Sequence, residues 1–362
     1  MGGIGHVACH LIEELFRKTN SGDHLTVIVG PDLPNILNVP VNSQFHVQSG
    51  MIDPHFEQHH LPHVLDGLQT DVYLNMTFSV PAIAGRTAQI AVIHDVVFEE
   101  RPDLVEHRLG NYLRQWSRIA SATADHIITV SDDARRRIQM VYGIADDRIT
   151  RIYNGHIHTP QPGSHNISLH QFHLEPPYLL YLGSIEPKKG LVQLLDAFSD
   201  PELDRCFRSL VLVGGVSGPA FDIDDRIRRH RRFRDIRRLG YVTDHGKIRL
   251  YAGAHVFVYP SLYEGFGLPP LEALAYGIPC VVNEGTSLPE VVGDVGLTVD
   301  VEHRSSFVSA LTRAATDPHV RSQARQQGPA HVARFRWDHA AQQYWTLCHD
   351  VWRQRSSRAV VA

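Results

Sequence analysis

The sequence is poor in cysteine and has no long apolar run, and both shortages narrow the class of protein. Its four cysteines lie far apart and form no CxxC pair, which argues against a disulfide framework and fits a reducing compartment. No apolar run is long enough to cross a bilayer, and no signal peptide precedes the first predicted helix. We therefore expect the protein in the cytoplasm or at the inner face of the membrane.

The sequence also lacks a large net charge and the short motifs of common catalytic and phosphate-binding sites. A net charge of −4 over 362 residues gives no electrostatic case for binding nucleic acid. No GxSxG or GxxxxGK[ST] string occurs, and His, Cys and Asp do not cluster at metal-binding spacing. We therefore expect no bound metal and no cofactor, and the length suggests two domains.

The stretch EGFGLPPLE, residues 264–272, carries the strongest functional signal. The apolar run 255–260 before it predicts a buried parallel strand. Two prolines then mark the start of a helix, and the helix over 271–276 is predicted to end before Gly277. The sequence thus predicts a strand, a glycine loop and a helix in that order.

An anion-binding site is expected at this loop. Gly265 and Gly267 let backbone amides approach a phosphate, and the helix N-terminus adds partial positive charge. Glu264 and Glu272 flank the loop, and carboxylates beside an anion site suit hydroxyl groups. Phosphate-binding amides between two hydroxyl-binding acids fit a nucleotide sugar, with its diphosphate, ribose and hexose.

The longer string PSLYEGFGLPPLEALAYGIPCV resembles the signature of glycosyltransferase family 4, whose members are retaining enzymes of the GT-B fold. The resemblance covers nearly the whole chain, most specifically residues 178–300. It implies an α/β fold of two Rossmann-like domains that face each other across a cleft. It also implies metal-independent transfer of a hexose from a nucleoside diphosphate sugar to a glycan or lipid-linked acceptor hydroxyl, and the donor expected is GDP-mannose.

The resemblance also implies roles for single residues, with Glu264 holding the hexose and Glu272 the ribose hydroxyls. Positive charge and amides for the leaving diphosphate come from Lys188, Lys189, Gly265, Phe266, Gly267 and Leu268. The lysines lie in GSIEPKKG, which resembles the family's GxxExRKN with Lys188 in place of Arg and Gly190 in place of Asn. Lysine lacks the bidentate fork of arginine, so donor binding is expected to be weaker. The remaining donor-binding residues implied are Gly183, Tyr241 and Val242.

Two segments of the first half carry the other site residues. AVIHDVVF resembles the family's HD segment and places His94 at the carboxyl end of a strand, where open α/β sheets bind ligands. His94 is expected to hydrogen-bond a hexose hydroxyl or to help polarise the phosphate; the alternative is a structural histidine. GGIG resembles a glycine loop of the family, so Gly3 and Gly5 are expected to face the donor phosphates, unless the terminus is unstructured.

The strand that precedes this glycine loop in the family is missing, because only Met1 stands before Gly2. Its loss would leave a gap in a doubly wound sheet and expose backbone groups of a neighbouring strand. We therefore expect the coding frame to continue upstream. The extended protein is expected to be more stable and more active.

Composition and periodicity divide the chain into four parts. The predicted limits are 1–158 for a truncated acceptor-side domain, 159–177 for a linker, 178–335 for the nucleotide-sugar-binding domain and 336–362 for a helix that packs back on the first domain. Within the first domain, one long helix is predicted over 102–121. Ser131 is predicted to cap the next helix.

Two further features have a structural explanation beside a functional one. Eight arginines lie between residues 226 and 238; a basic helix there can contact anionic lipid or an acidic partner, although a solvated helix is the commoner structure. Asp222-Ile223-Asp224 spells the DxD string that binds metal in GT-A enzymes. Its position at a helix start predicts that these acids serve the helix instead.

Two other classes of protein remain open beside a retaining transferase. One is a GT-B enzyme that does not transfer sugar to an acceptor, such as an epimerase or a phosphorylase. The other is an inactive or truncated sugar-nucleotide-binding protein, which the missing strand and the Arg-to-Lys change favour. Hydrolysis of a panel of donors, with the anomeric configuration followed by NMR, distinguishes the three.

Overall fold

A computed structural model describes residues 3–19, 22–29, 44–47, 55–83, 85–156, 169–217 and 222–361. The chain divides into two compact units. Unit 1 comprises residues 1–96, 111–155 and 335–362, and unit 2 comprises residues 97–110 and 156–334. Residues 159–168 of the predicted linker lie outside the described residues, and the predicted domain limits stay predictions.

Both units alternate strands and helices. The strands are β1 (Thr26–Val29), β2 (Gln44–Val47), β3 (Val72–Asn75), β4 (Ala88–Val92), β5 (His126–Thr129), β6 (Ile149–Arg151), β7 (Tyr178–Leu182), β8 (Ser209–Val213), β9 (Ile236–Gly240), β10 (Val256–Tyr259), β11 (Cys280–Asn283) and β12 (Leu297–Val299). The helices are α1 (Gly3–Lys18), α2 (Leu61–Gly67), α3 (Val97–Glu100), α4 (His107–Thr123), α5 (Asp132–Tyr142), α6 (Leu191–Phe198), α7 (Ile223–Arg229), α8 (Asp244–Gly253), α9 (Leu268–Ala275), α10 (Leu288–Val292), α11 (Arg304–Thr316), α12 (Pro318–Val332) and α13 (Trp337–Val361).

Unit 2 is built on a parallel sheet with the strand order β12-β11-β10-β7-β8-β9. Its central strands are continuous apolar runs because both faces of the sheet are covered by helices. The order reverses between β7 and β10: β8 and β9 follow on one side, whereas β11 and β12 follow on the other. Open α/β sheets bind ligands beyond the carboxyl ends of strands at such a reversal, which directs attention to the loops after β7 and β10.

Unit 1 holds two separate parallel sheets, β1-β2 and β3-β4-β5-β6, in the described part of the chain. Helices α1 and α13 pack on the longer sheet, and their apolar side chains form one core with β4. Buried members of that core are Leu11, Leu15, Ile90, Val92, Tyr344 and Val351. The last helix of the chain therefore belongs to unit 1 and packs against its longer sheet.

Two local predictions within the first 121 residues were wrong. The helix predicted over 102–121 is interrupted, because Val105 is extended and the Glu106 carboxylate accepts hydrogen bonds from the Arg108 and Leu109 amides, which starts α4 at His107. Gly3 and Gly5 do not form a loop before a helix; α1 begins at Gly3 and includes both.

The arginine-rich segment is less helical than its periodicity indicates. Helix α7 covers only Ile223–Arg229, and Ile236 already begins β9.

The predicted cap at Ser131 is confirmed, since its Oγ accepts a hydrogen bond from the Ala134 amide at 3.0 Å. No helix within the described ranges is long and apolar enough to cross a membrane.

Candidate active site

The loop between β10 and α9 has the predicted order of strand, loop and helix. β10 is buried along its length, and two prolines lie in the first turn of α9. Gly267 adopts a φ of 114°, and a Cβ atom there would come within 2.4 Å of Leu288 Cδ2, so the position requires glycine. Gly265, Phe266 and Leu268 lie beside it. Amides in the first turn of a helix lack intrahelical acceptors and can donate to an anion.

Lys189 and Glu264 meet at the point where the strand order reverses. Lys189 follows β7 and Glu264 follows β10, the neighbouring strand. The Lys189 Nζ donates to Glu264 Oε2 at 2.6 Å and to Tyr259 Oη at 3.1 Å. Lys189 is only 6% exposed. The structure thus brings two predicted site residues, 75 positions apart, into a buried ion pair.

Burial and mutual attraction have opposite effects on the pKa values of this pair. Burial alone would lower the pKa of Lys189, but Glu264, with smaller contributions from neighbouring tyrosines, raises the pKa well above its usual value. Burial alone would raise the pKa of Glu264, but Lys189 and Lys188, helped by hydrogen bonds from Lys189 and Ser261, hold that pKa below its usual range. Both groups are therefore ionised at neutral pH.

Lys188 is less confined than Lys189. Its side chain is 23% exposed, and its Nζ lies 4.0 Å from Glu186 Oε1. Its carbonyl accepts a hydrogen bond from the Leu262 amide at 2.7 Å, which joins the loops after β7 and β10. Gly190 has a φ of 66°, and a Cβ there would lie 1.9 Å from the Pro260 carbonyl oxygen. Asn tolerates a left-handed conformation as such, but the Pro260 backbone leaves no room for its Cβ here, so the departure from Asn goes with a closer approach of the two loops.

Two polar side chains that the sequence did not single out hold the loop after β10. Ser287 is fully buried; its Oγ lies 2.8 Å from the Glu264 carbonyl and 3.1 Å from the Phe266 carbonyl, and donates to one of them. Asn283 Nδ2 donates to the Ser261 carbonyl at 3.0 Å. The string TSLPEV contains Ser287, but nothing in the string shows which backbone it contacts.

Glu272 lies in α9 and is 5% exposed. Its Oε2 accepts a hydrogen bond from Tyr251 Oη at 2.8 Å. Burial raises the pKa of Glu272 from 4.5 to about 7, although the Tyr251 hydrogen bond and Lys247 oppose the rise. The ring of Tyr276 stacks on Tyr251 with centroids 5.6 Å apart. Tyr251 was not predicted as a site residue, because it lies on α8, outside the recognised strings.

The remaining donor-side predictions of unit 2 are Gly183, Tyr241 and Val242. Gly183 follows β7, and its amide donates to the Val213 carbonyl at 3.0 Å, so that amide is already engaged. Tyr241 and Val242 follow β9 and line a cavity of about 420 Å³ together with Phe172. Tyr241 is 74% exposed.

His94 belongs to unit 1 and is buried just beyond the carboxyl end of β4. Its Nε2 lies 2.9 Å from the Met76 carbonyl oxygen. A carbonyl only accepts, so Nε2 carries a proton. Burial lowers the pKa of His94, and the Met76 hydrogen bond and Asp95 only partly offset this. The ring is therefore neutral at pH 7, and Nδ1 presents a lone pair to which a hydroxyl can donate.

One acid of the DxD string caps its helix, as predicted, whereas the other pairs with an arginine of β9. Asp222 Oδ1 accepts from the Asp225 amide at 2.8 Å and caps α7, while Asp224 forms an ion pair with Arg238. Elsewhere too, among the residues whose placement is described, no group of three or more His, Cys, Asp or Glu side chains could hold a metal ion.

Comparisons with known proteins match both halves of the chain to glycosyltransferases. The family model for glycosyl transferases group 1 matches residues 167–331, and the model for glycosyltransferase family 4 matches residues 1–158. O-antigen chain mannosyltransferase B of Escherichia coli is 32% identical over 277 residues, which are 75% of this chain and 72% of that protein. The serotype-specific mannosyltransferase WbdA of Escherichia coli is 28% identical over 284 residues, and the match spans only 34% of WbdA.

A solved structure shows the same fold. HepE of Anabaena, crystallised in complex with UDP and glucose, superposes with a TM-score of 0.73 at 17% identity and covers 96% of this chain and 95% of its own. Likeness at that identity shows the GT-B fold alone, whereas the 32% identity to a mannosyltransferase over most of both chains shows the family. The chain belongs to the group 1 and family 4 glycosyltransferases and is a hexosyltransferase with two Rossmann-like domains.

Proposed function

We propose that this hexosyltransferase moves mannose from GDP-mannose to a hydroxyl of a glycan or lipid-linked acceptor, with retention of the anomeric configuration. The choice of mannose is supported by two mannosyltransferase relatives at 32% and 28% identity. The site is proposed to work in the cytoplasm at the inner face of the membrane. Fractionation of cells that produce the tagged chain tests this location.

The ion pair of Lys189 and Glu264 is the observation that carries the transfer chemistry. Lys189 fixes Glu264 Oε2 at 2.6 Å and keeps the carboxylate ionised, so that it can accept hydrogen bonds from two hexose hydroxyls. The adjacent first turn of α9 offers amides to the diphosphate. Lys189 is held by Glu264 at 2.6 Å, whereas Lys188 is more exposed and its Nζ lies 4.0 Å from Glu186. Lys188 is therefore the cation we assign to the leaving phosphate.

The other predicted residues complete the proposal. Glu272 accepts the ribose hydroxyls, and His94 Nδ1 accepts from a substrate hydroxyl while Nε2 stays bound to Met76. Contacts to the donor are also proposed for Gly3, Gly5, Gly183, Tyr241 and Val242. Of these, Gly183 would contact the donor through its Cα or carbonyl, because its amide donates to the Val213 carbonyl.

The proposed chemistry needs no side chain as general base. The acceptor hydroxyl approaches the face from which the diphosphate departs, and its proton passes to the leaving phosphate oxygen. The bond from the anomeric carbon to the acceptor oxygen forms as the bond to the phosphate oxygen breaks, so the configuration is retained. Amides of α9 and Lys188 stabilise the negative charge that develops on the diphosphate.

A donor panel tests the proposal. GDP-mannose, other GDP, UDP and ADP sugars are incubated with the protein, with and without a mannan oligosaccharide, and the anomeric configuration of the product is determined by NMR. Retained configuration and preference for GDP-mannose are expected. An inverted product contradicts retention, an altered sugar nucleotide favours an epimerase, and tight nucleotide binding without turnover favours an inactive binding protein.

Activity is expected to be independent of divalent metal. The positive charge that the diphosphate needs is assigned to Lys188 and to α9 amides, and the Asp222 and Asp224 carboxylates are engaged in a cap and an ion pair. Transfer rates are measured in excess EDTA and after adding back Mg²⁺ or Mn²⁺. Equal rates are expected; loss of activity in EDTA with recovery in Mn²⁺ contradicts the proposed mechanism.

A further inference from the structure

The orientation of His94 depends on a tight turn between β3 and β4. Met76, whose carbonyl receives the Nε2 proton of His94, lies in this turn, directly after β3. Phe78 has a φ of 65°, which is uncommon for a residue with a side chain, and its ring packs against His94 with centroids 5.5 Å apart. The Phe78 amide donates to the Val92 carbonyl at 3.0 Å. The turn therefore contacts His94 through both a carbonyl and a ring.

The turn is held from outside by a buried carboxylate. Glu57 lies in a π-helical turn, Phe56–His60, and is 6% exposed. Its Oε1 accepts from Asn75 Nδ2 at 2.6 Å and from Ser79 Oγ at 2.8 Å. Asn75 and Ser79 are the residues on either side of 76–78, so one oxygen joins the two ends of the turn.

Asn75 extends this connection into the turn itself. Its Oδ1 accepts from the Thr77 amide at 2.7 Å and from Thr77 Oγ1 at 2.8 Å. A left-handed conformation at a residue such as Phe78 persists only when its surroundings determine it, and these hydrogen bonds supply that constraint. Burial raises the pKa of Glu57, and the hydrogen bonds from Ser79 and Asn75 oppose the rise.

We propose that Glu57 is a positioning residue for His94: by joining Asn75 and Ser79 it fixes the Met76 carbonyl that holds His94 in its Nε2-protonated tautomer. The lone pair of His94 Nδ1 is then available to a substrate hydroxyl at all times. This inference rests on the proposed function for the role of His94 in transfer. The geometry of the clamp itself lies entirely within unit 1.

Gln58 provides a matched control on the same π-helical turn. Its Nε2 donates to the Val80 carbonyl at 3.1 Å, and its Oε1 accepts from the Ala82 amide at 2.8 Å. Gln58 therefore ties the same connection between β3 and β4, but beyond the residues that contact His94. A purely structural role predicts similar effects for Glu57→Leu and Gln58→Leu, whereas a positioning role predicts effects on His94 for Glu57→Leu alone.

The activity test is a double-mutant cycle. Glu57→Leu is expected to lower kcat roughly ten- to hundredfold, since small misplacements of a contact residue have effects of that size. In a His94→Ala background the same change is expected to lower kcat less than about twofold, because the residue through which it acts is gone. Glu57→Gln, whose Oε1 can accept both hydrogen bonds, is expected to retain most activity. Equal factors in both backgrounds overturn the proposal.

The second measurement does not require activity. Long-range ¹H–¹⁵N correlation spectra of histidine-labelled protein, assigned with His94→Ala, are expected to show His94 as a single Nε2–H tautomer in the wild type and in Gln58→Leu. In Glu57→Leu the signals are expected to move towards exchanging tautomers. Unchanged His94 signals in folded Glu57→Leu overturn the proposal. Absence of transfer by the wild type rejects the proposed function alone, and these spectra still decide the role of Glu57.

Discussion

Lys189→Met is expected to remove measurable transfer and to lower the free energy of unfolding by about 3–5 kcal/mol. The Lys189 ammonium bonds to Glu264 Oε2 at 2.6 Å while almost fully buried. Removal of Lys189 leaves the Glu264 carboxylate without the cation that most lowers the pKa of Glu264. All four tryptophans lie in unit 1, whereas Lys189 lies in unit 2, so urea unfolding is followed by far-UV circular dichroism, which reports on both units. Product formation from GDP-mannose measures the loss of transfer.

A double variant separates the two effects of this change. In Lys189→Met/Glu264→Leu neither charge remains, and replacing a buried pair by apolar groups is often close to neutral, so most of the stability is expected to return while transfer stays absent. Lys188→Met is the matched control: its side chain is 23% exposed, so stability should hardly change although phosphate binding weakens. Full stability of the single variant Lys189→Met contradicts the importance of the buried pair.

The elements that the sequence predicted well are those encoded locally. The strand, loop and helix around EGFGLPPLE follow from one apolar run, two glycines and two prolines, all within residues 255–272. The structure has the three elements in that order. The cap at Ser131 is similarly local, since donor and acceptor are three residues apart. In these two places the contacts span only a helical turn or a loop, and residue type and spacing were sufficient.

Contacts between distant segments could not be predicted in the same way. Lys189 and Glu264 were each assigned to the site, but their direct bond joins loops 75 residues apart and depends on β7 and β10 being neighbours. Tyr251 was missed altogether, because its hydroxyl reaches Glu272 from a different helix. Such partners follow from the strand order, which one sequence does not specify.

The predicted helix over 102–121 failed for a local reason, because the Glu106 cap spans only two or three residues. Its residues have acceptable helix propensity, but the extended backbone at Val105 and the Glu106 cap create a new start at His107. Propensity is a weak guide wherever a side chain offers the backbone an alternative acceptor. The Glu57 clamp on the turn before His94 was not predicted because it joins distant segments, since its three members lie up to 22 residues apart.

Nucleotide affinity is expected to rise with pH up to about pH 7 and then to level off. Burial places the pKa of Glu272 at about 7, and only the carboxylate can accept both ribose hydroxyls. Below about pH 7 each unit of acidification should weaken binding about tenfold, because a proton must be removed before the ribose binds. GDP-mannose is the suitable probe, since its diphosphate has no proton to lose in this range. Titration calorimetry at several pH values measures the slope.

Glu272→Gln is the variant that isolates this group. Its amide has no proton to lose and makes weaker hydrogen bonds than a carboxylate, so affinity at about pH 8 should fall at least tenfold, in line with hydrogen bonds to charged groups worth roughly 1.5–3 kcal/mol. The slope with pH should disappear. An unchanged slope in Glu272→Gln would assign the titration to another group, and unchanged affinity would leave Glu272 as a residue of α9 without contact to the nucleotide.

The same pKa predicts the stability of the free protein, with the opposite dependence on pH. The pKa of Glu272 is about 7 in the folded protein and 4.5 as the ordinary value, so between these two pH values the native state holds a proton that the unfolded state has lost. The free energy of unfolding therefore falls as pH rises through this window, by about 3 kcal/mol for a shift of this size. Nucleotide binding and intrinsic stability thus favour opposite protonation states of one carboxyl. Urea unfolding of the wild type and Glu272→Gln across the window tests this, because only the wild type should lose stability from this group.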